Sequence, residues 1–200
     1  MTGVEHSGAL SVELRRQLSA LAQEGHEIWD RFDTEVRRKK WHPFVPADYD
    51  DVLEAILPLR EPGVRFLEWG SATGVITIMA DLLGFEAYGI ELDARLVPIA
   101  RELAVKFNSN ARFAQGSYLP NGYRWRPRHG DGRLGTIGQG ESGYAELGHP
   151  LDDFDIVFAY PWDGEAPIMH DVMRAYGARD ARLALLLADG VHIYRNGKLE

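Results

Sequence analysis

The chain has 200 residues, 45% of them hydrophobic, which suffices for one packed core and falls short of two. Its formal charge of −8 argues against partners held by non-specific contact with nucleic acid or an anionic membrane, which require net basic surface. With no cysteine, disulfides, thiolate metal sites and cysteine nucleophiles are excluded.

The opening residues "MTGVEHSGAL" hold no basic-then-apolar leader, and a cytoplasmic protein is expected. From about Leu10 to Lys40, Leu14, Leu18, Leu21, Ile28, Phe32 and Val36 recur at helical spacing, with Gly25 expected to bend or divide the segment. "RRKK" at 37–40 reads as a basic helix C-terminus that suits the macrodipole, or as an anchor for an acidic substrate. In "WHPFVPADYDD" the prolines delay the next helix until after Pro46. Tyr49, Val52, Leu53, Ile56 and Leu57 then mark it as far as Pro62. Phe44, Pro46 and Tyr49 either staple this helix or fold over a neighbouring ligand.

Strands then alternate with helices. "VRFLEW", "EAYGIEL", "ARFAQG", "FDIVFAY" and "ARLALLL" read as five strands. "GVITIMADLLG", "DARLVPIARELAVKF" and "EAPIMHDVMRAYG" read as helices between them, the second opened by Asp93 as N-cap with Pro98 disturbing its first turns. The run "VITIMADLLGF" is broken by Asp81 and too short to span a bilayer. Residues 118–151, rich in Gly, Pro and Arg, read as a long loop. Asp189-Gly190 between apolar runs predicts that the fifth strand turns back into a short antiparallel edge strand. The fold class is therefore α/β: a three-layer, Rossmann-like parallel sheet of order 3-2-1-4-5 plus that edge strand. Residues 1–60 form an N-terminal helical segment packed on the core domain of residues 61–200.

The stretch "EWGSATG" at 68–74 interrupts a strand-like run with Gly70 and Gly74 and only small residues between them. Such a turn lets backbone approach a nucleotide closely. Read as G-x-G-x-x-G it fails at Ala72 and Val75, which sets aside a nicotinamide-dependent oxidoreductase. Glu91 ends the second strand in "GIELD", beside the loop across the top of the sheet, where a carboxylate accepts both hydroxyls of a ribose.

On these residues the chain resembles the class I S-adenosylmethionine-dependent methyltransferases. Their first motif is an apolar strand, an acid and a loop G-x-G-x-G, matched by Glu68-Trp69-Gly70-Ser71-Ala72-Thr73-Gly74. Their second is an acid ending strand two, matched by "GIELD". The resemblance covers residues 63–118 well and 153–195 in outline. It implies S-adenosyl-L-methionine as cofactor, with Gly70, Ser71, Ala72 and Gly74 along its methionine and ribose and Glu68 near its amino group. Glu91 would hold the ribose and Leu92 the adenine face, with Gly116 and Ser117 at the adenine edge. Ala72 replaces the family's middle glycine, a mild departure provided its φ is negative.

In this fold the crevice between strands one and four would be the reaction site. Strand four runs into Ala159-Tyr160-Pro161-Trp162. The polar residue with which amino-group methyltransferases of this fold begin that turn is missing, so base or amide methylation is not carried over. Tyr160, Trp162 and Asp163 are the candidate catalytic residues: aromatic faces for a cationic donor or acceptor, and Asp163 or Tyr160 to orient or deprotonate the nucleophile. Equally, Trp162 packs on the next helix and Asp163 caps it. Asp163, Glu165, His170 and Asp171 match no metal-ligand spacing. Arg124, Arg126, Arg128 and Arg133, interleaved with Tyr123 and Trp125, suit a lid over an anionic substrate or a solvated loop. The sequence thus points to methyl transfer onto a small molecule or a protein side chain, without nucleic acid or membrane. The alternative is a non-catalytic adenosyl-binding or scaffold protein on the same fold.

Overall fold

A computed structural model describes residues 10–40, 42–124, 137 and 140–200. Helix α1 (Val12–Phe32) starts at Ser11, whose hydroxyl accepts the Leu14 N–H at 3.1 Å, and buries Leu18, Leu21, Ile28 and Phe32 on one face. Gly25 does not divide it. A Cβ there would lie 2.6 Å from Val75 Cγ2, so the glycine lets α1 lie directly against the first turn of α3 (Val75–Leu83). A π-helical turn (Asp33–Arg37) follows, and α2 (Tyr49–Ile56) is capped by Asp48, which accepts the N–H groups of Asp50 and Asp51.

The sheet holds β1 (Arg65–Trp69), β2 (Glu86–Glu91), β3 (Arg112–Gln115), β4 (Ile156–Ala159), β5 (Arg182–Leu187), β6 (Gly190–Arg195) and β7 (Lys198–Leu199). Their order is β3-β2-β1-β4-β5-β6-β7, parallel through β5 and antiparallel beyond it. The expected parallel order and antiparallel edge are both present, and β7 extends the edge. It returns through Asn196 and Gly197, both at positive φ as a tight hairpin turn requires.

Alternate residues of the strands feed two cores. Phe66, Ala87, Phe113, Phe158, Ala184 and Leu186 pack under α1, α2, α3 and α4 (Leu96–Lys106). Leu67, Trp69, Ile90, Val157, Leu183 and Leu185 pack on the other face under α5 (Tyr144–Leu147) and α6 (Ala166–Tyr176). Burying a side chain such as Phe66, fully enclosed, contributes roughly 2–3 kcal/mol. Helix α4 begins at Leu96, three residues beyond the expected Asp93 cap. Asp93 instead closes the preceding turn by accepting the Arg95 N–H at 2.8 Å, and Pro98 falls in the first turn, where it displaces no helical hydrogen bond. The stretch expected as loop at 118–151 contains α5, docked on the sheet through the Ser117–Ser142 bridge. Sheet order reverses between β1 and β4, so the functional crevice opens at their carboxyl ends.

Candidate functional site

Beyond β1 the chain turns sharply: the N–H groups of Gly70 and Ser71 both reach the Ile90 carbonyl, at 2.9 and 3.0 Å. Gly70 and Gly74 take positive φ, and a Cβ on Gly74 would meet the Phe113 ring at 2.6 Å. Ala72 also takes a positive φ, 45°, which corrects the expectation of a mild substitution. The left-handed region costs an L-residue about 1–2 kcal/mol. Its N–H is correspondingly well used, donating to Glu91 Oε2 at 2.7 Å.

Glu91 also accepts the Asp93 N–H on Oε1 at 2.8 Å. Both carboxylate oxygens are thus held by backbone N–H groups, which fixes the side chain at the end of β2. Burial raises its pKa while these backbone bonds oppose the rise. Glu91 lines a cleft of about 270 Å³ together with His42, Phe44, Gly70, Ala72, Leu92, Asp93, Gly116 and Tyr118. Leu92 and Gly116 thus share one cleft with Glu91. Ser117 is close by, but its Oγ accepts the Leu119 N–H at 3.1 Å and its backbone pairs with Glu141 and Gly143.

Phe44, Gly70 and Ala72 also belong to a small adjoining chamber of about 40 Å³. Its other walls include Pro46, Tyr49, Glu68, Ser71 and Tyr160, so the segment before α2 does fold over the glycine loop. Glu68 is buried, its Oε2 accepting both the Thr77 N–H at 2.9 Å and the Thr77 hydroxyl. Burial pushes its pKa up to about 8 against the opposing pull of those bonds, and the Glu91 charge adds to the rise. Ser71 Oγ is buried with no hydrogen-bond partner among the described residues.

The three residues proposed for chemistry separate. Tyr160, 42% exposed, lines the chamber. Trp162 is half-buried, and Asp163 is exposed and lines neither cavity. Asp163 is not the cap of α6. Glu165 holds the N-cap position without a side-chain capping bond, its buried carboxylate instead accepting the Trp162 N–H at 3.0 Å and the Ile137 N–H at 3.3 Å. Of the expected lid, Trp125, Arg126, Arg128 and Arg133 lie outside the described residues, while Tyr123 donates to Asp171 on α6 at 3.0 Å.

Sequence reasoning missed His42 and Tyr118. His42 Nδ1 accepts the Phe44 N–H at 3.1 Å, so the ring proton sits on Nε2 and is donated to Asp93 Oδ2 at 2.7 Å. Burial opposes ionisation of Asp93, yet Arg95 and His42 hold its pKa well below the usual carboxylate range. This bond ties the segment before α2 to the loop bearing Glu91. Tyr118 stacks on Trp69 with ring centroids 4.7 Å apart, and the Trp69 indole N–H donates to the Tyr144 hydroxyl at 2.9 Å.

No family model matches the chain. A stretch of 65 residues, 32% of the chain, is 34% identical to ribosomal protein L11 methyltransferase of Thermus thermophilus, but spans only about a quarter (26%) of that protein. Among solved structures, an RNA methyltransferase from Salinibacter ruber in complex with S-adenosyl-L-homocysteine aligns over 70% of this chain and 76% of its own. Its TM-score is 0.50 and its identity 18%. An S-adenosylmethionine-dependent methyltransferase from Thiobacillus denitrificans aligns over 79% of this chain and 54% of its own, with TM-score 0.48 and identity 17%. The chain has the fold of the class I methyltransferases.

Proposed function

We propose that the chain is an S-adenosylmethionine-dependent methyltransferase whose acceptor is a small molecule or a protein side chain. The observation that carries this reading is the pairing of the Gly70–Gly74 loop with Glu91. The carboxylate locks the loop through the Ala72 N–H and lines the cleft, where a ribose diol would reach it. The orphaned Ser71 hydroxyl and the buried Glu68 carboxyl in the adjoining chamber fit the polar end of the same cofactor.

When bound, S-adenosylmethionine supplies an activated methyl group on a sulfonium sulfur. The chain's own contribution is positioning, since holding donor and acceptor in line removes much of the entropic barrier. Leu92 and Gly116 border the base, Glu91 holds the ribose, and the chamber takes the amino-acid end. Tyr160 presents an aromatic face where the cation and the acceptor meet. Asp163, exposed on the following turn, orients the acceptor or receives its proton. The acidic charge balance favours a small-molecule or protein acceptor over RNA. The ribosomal-protein methyltransferase relative is in line with the protein option.

Calorimetric titration with S-adenosylmethionine, S-adenosylhomocysteine and NAD tests the cofactor. Micromolar binding of the adenosyl pair alone, lost in Glu91→Ala, is expected. Absence of binding, or equal binding of NAD, refutes the reading. Transfer of labelled methyl to an acceptor panel of amines, carboxylates and proteins then addresses the reaction.

A further inference from the structure

After β5 the chain turns back at once through Asp189 into β6, so no helix is inserted between these strands and the groove between α6 and β6 stays open. The groove is a cavity of about 630 Å³, within the range of small-molecule sites. It shares no lining residue with the cleft beside Glu91 or with the adjoining chamber. Its floor is apolar, with Ala181 and Leu183 buried and Met173 partly so. The walls are aromatic and polar. Tyr194 and His170 stand at right angles with ring centroids 4.5 Å apart, a corner in which a third flat ring stacks on one and meets the other edge-on.

On a chain whose formal charge is −8, this cavity is locally basic. Its one carboxylate, Asp171, is taken by Arg174 and by the Tyr123 hydroxyl. That leaves Arg179 as a cation with no ion pair or hydrogen bond among the described residues, and its chain neighbour Asp180 does not line the cavity. The side chains of His170 and Asn196, on the same walls, likewise make no hydrogen bond among the described residues. Burial lowers the pKa of His170, so its ring is neutral near neutrality and brings one donor and one acceptor. The C-terminal end of α6 carries partial negative charge, which Arg174 in the last turn offsets, so the cation left for a ligand is Arg179, beyond the helix.

The geometry points to a binding site for a small aromatic anion, a planar ring carrying a phosphate or a carboxylate. The ring rests against Tyr194 over the apolar floor, and the anionic group accepts the paired N–H bonds of the Arg179 guanidinium. His170 and Asn196 supply neutral hydrogen bonds around it. A ring alone would leave the cation unused, and an anion alone would leave the aromatic corner and the floor uncovered.

Phenyl phosphate and benzoate are titrated calorimetrically into the protein, with inorganic phosphate, acetate and phenol as their fragments. Expected is binding of phenyl phosphate or benzoate at least about tenfold tighter than that of any fragment, the tighter of the two identifying the anionic group. Arg179→Gln alters an exposed side chain, so the fold is retained, and should weaken that binding about tenfold or more. Arg60→Gln, at an exposed arginine outside the cavity, should leave it within about twofold. Aromatic anions that bind no tighter than their fragments, equal losses in the two variants, or displacement by S-adenosylhomocysteine overturn the proposal. Binding that depends on Arg179 in a protein that fails to bind S-adenosylhomocysteine refutes the cofactor reading and supports this site.

Discussion

Gly74 is the position where the glycine loop is most exposed to a single methyl group. Its φ of +79° costs an L-residue about 1–2 kcal/mol, and its Cβ would stand 2.6 and 2.7 Å from two Phe113 ring carbons and 2.9 Å from Ala100 Cβ. Phe113 is buried between β3 and α4, so it yields only by disturbing the core, at about 1–3 kcal/mol. Alanine returns roughly 0.5–1 kcal/mol by restricting the unfolded chain. Gly74→Ala should therefore destabilise by about 3 kcal/mol, lowering Tm by about 6–12 °C for a chain of this size. Gly84 is the internal control: its φ is +100°, but nothing lies within 4 Å of where an added methyl would stand, so Gly84→Ala should cost only about 1 kcal/mol. Urea unfolding of both variants beside the wild type isolates the steric contribution, near ~2 kcal/mol. Equal losses in the two variants would refute the claim that Gly74 is required for close approach as well as for its φ.

Glu68 predicts a pH dependence. Its folded pKa, about 8, lies above that of an unfolded glutamate, so the stability linked to it is complete at low pH and is lost as pH rises through 8. Between about pH 5 and 8 the wild type without ligand should lose up to about 1.4 kcal/mol per pH unit relative to Glu68→Gln. Parallel urea-midpoint profiles for the two proteins would remove Glu68 from the account. For Asp163, exposed and outside both cavities, Asp163→Asn should lower turnover about tenfold or more while leaving S-adenosylhomocysteine affinity within twofold. Unchanged turnover on any acceptor the enzyme accepts excludes Asp163 from the chemistry.

What was legible in the sequence was whatever is encoded by near neighbours. Apolar runs separated by helical stretches placed β1 to β5, and Gly70, Gly74 and Glu91 stood out because a turn and a strand end are local events. Gly25 was misread because a glycine in a helix looks the same whether it breaks the helix or admits a neighbour, and the neighbour, Val75, is far along the chain. The His42–Asp93 bond spans 51 residues and leaves no local trace in "WHPF". The N-cap position of α6 fell to Glu165 and not Asp163, with Gly164 at φ 85° turning the chain between them, and Glu165 spends its carboxylate on the Trp162 N–H instead of on the helix. Asn196-Gly197, by contrast, was a readable turn signal, but the strand it feeds has two residues and too little length to show a period. The site follows the same division. Its loop and Glu91 belong to consecutive elements of the sheet, whereas Tyr49, His42 and Phe44 are brought to it by an N-terminal segment that packs over the loop from outside the motif. That segment also gives Tyr49, Val52 and Ile56 to the core under the sheet, so its residues are held in place by packing as well as by the loop they cover.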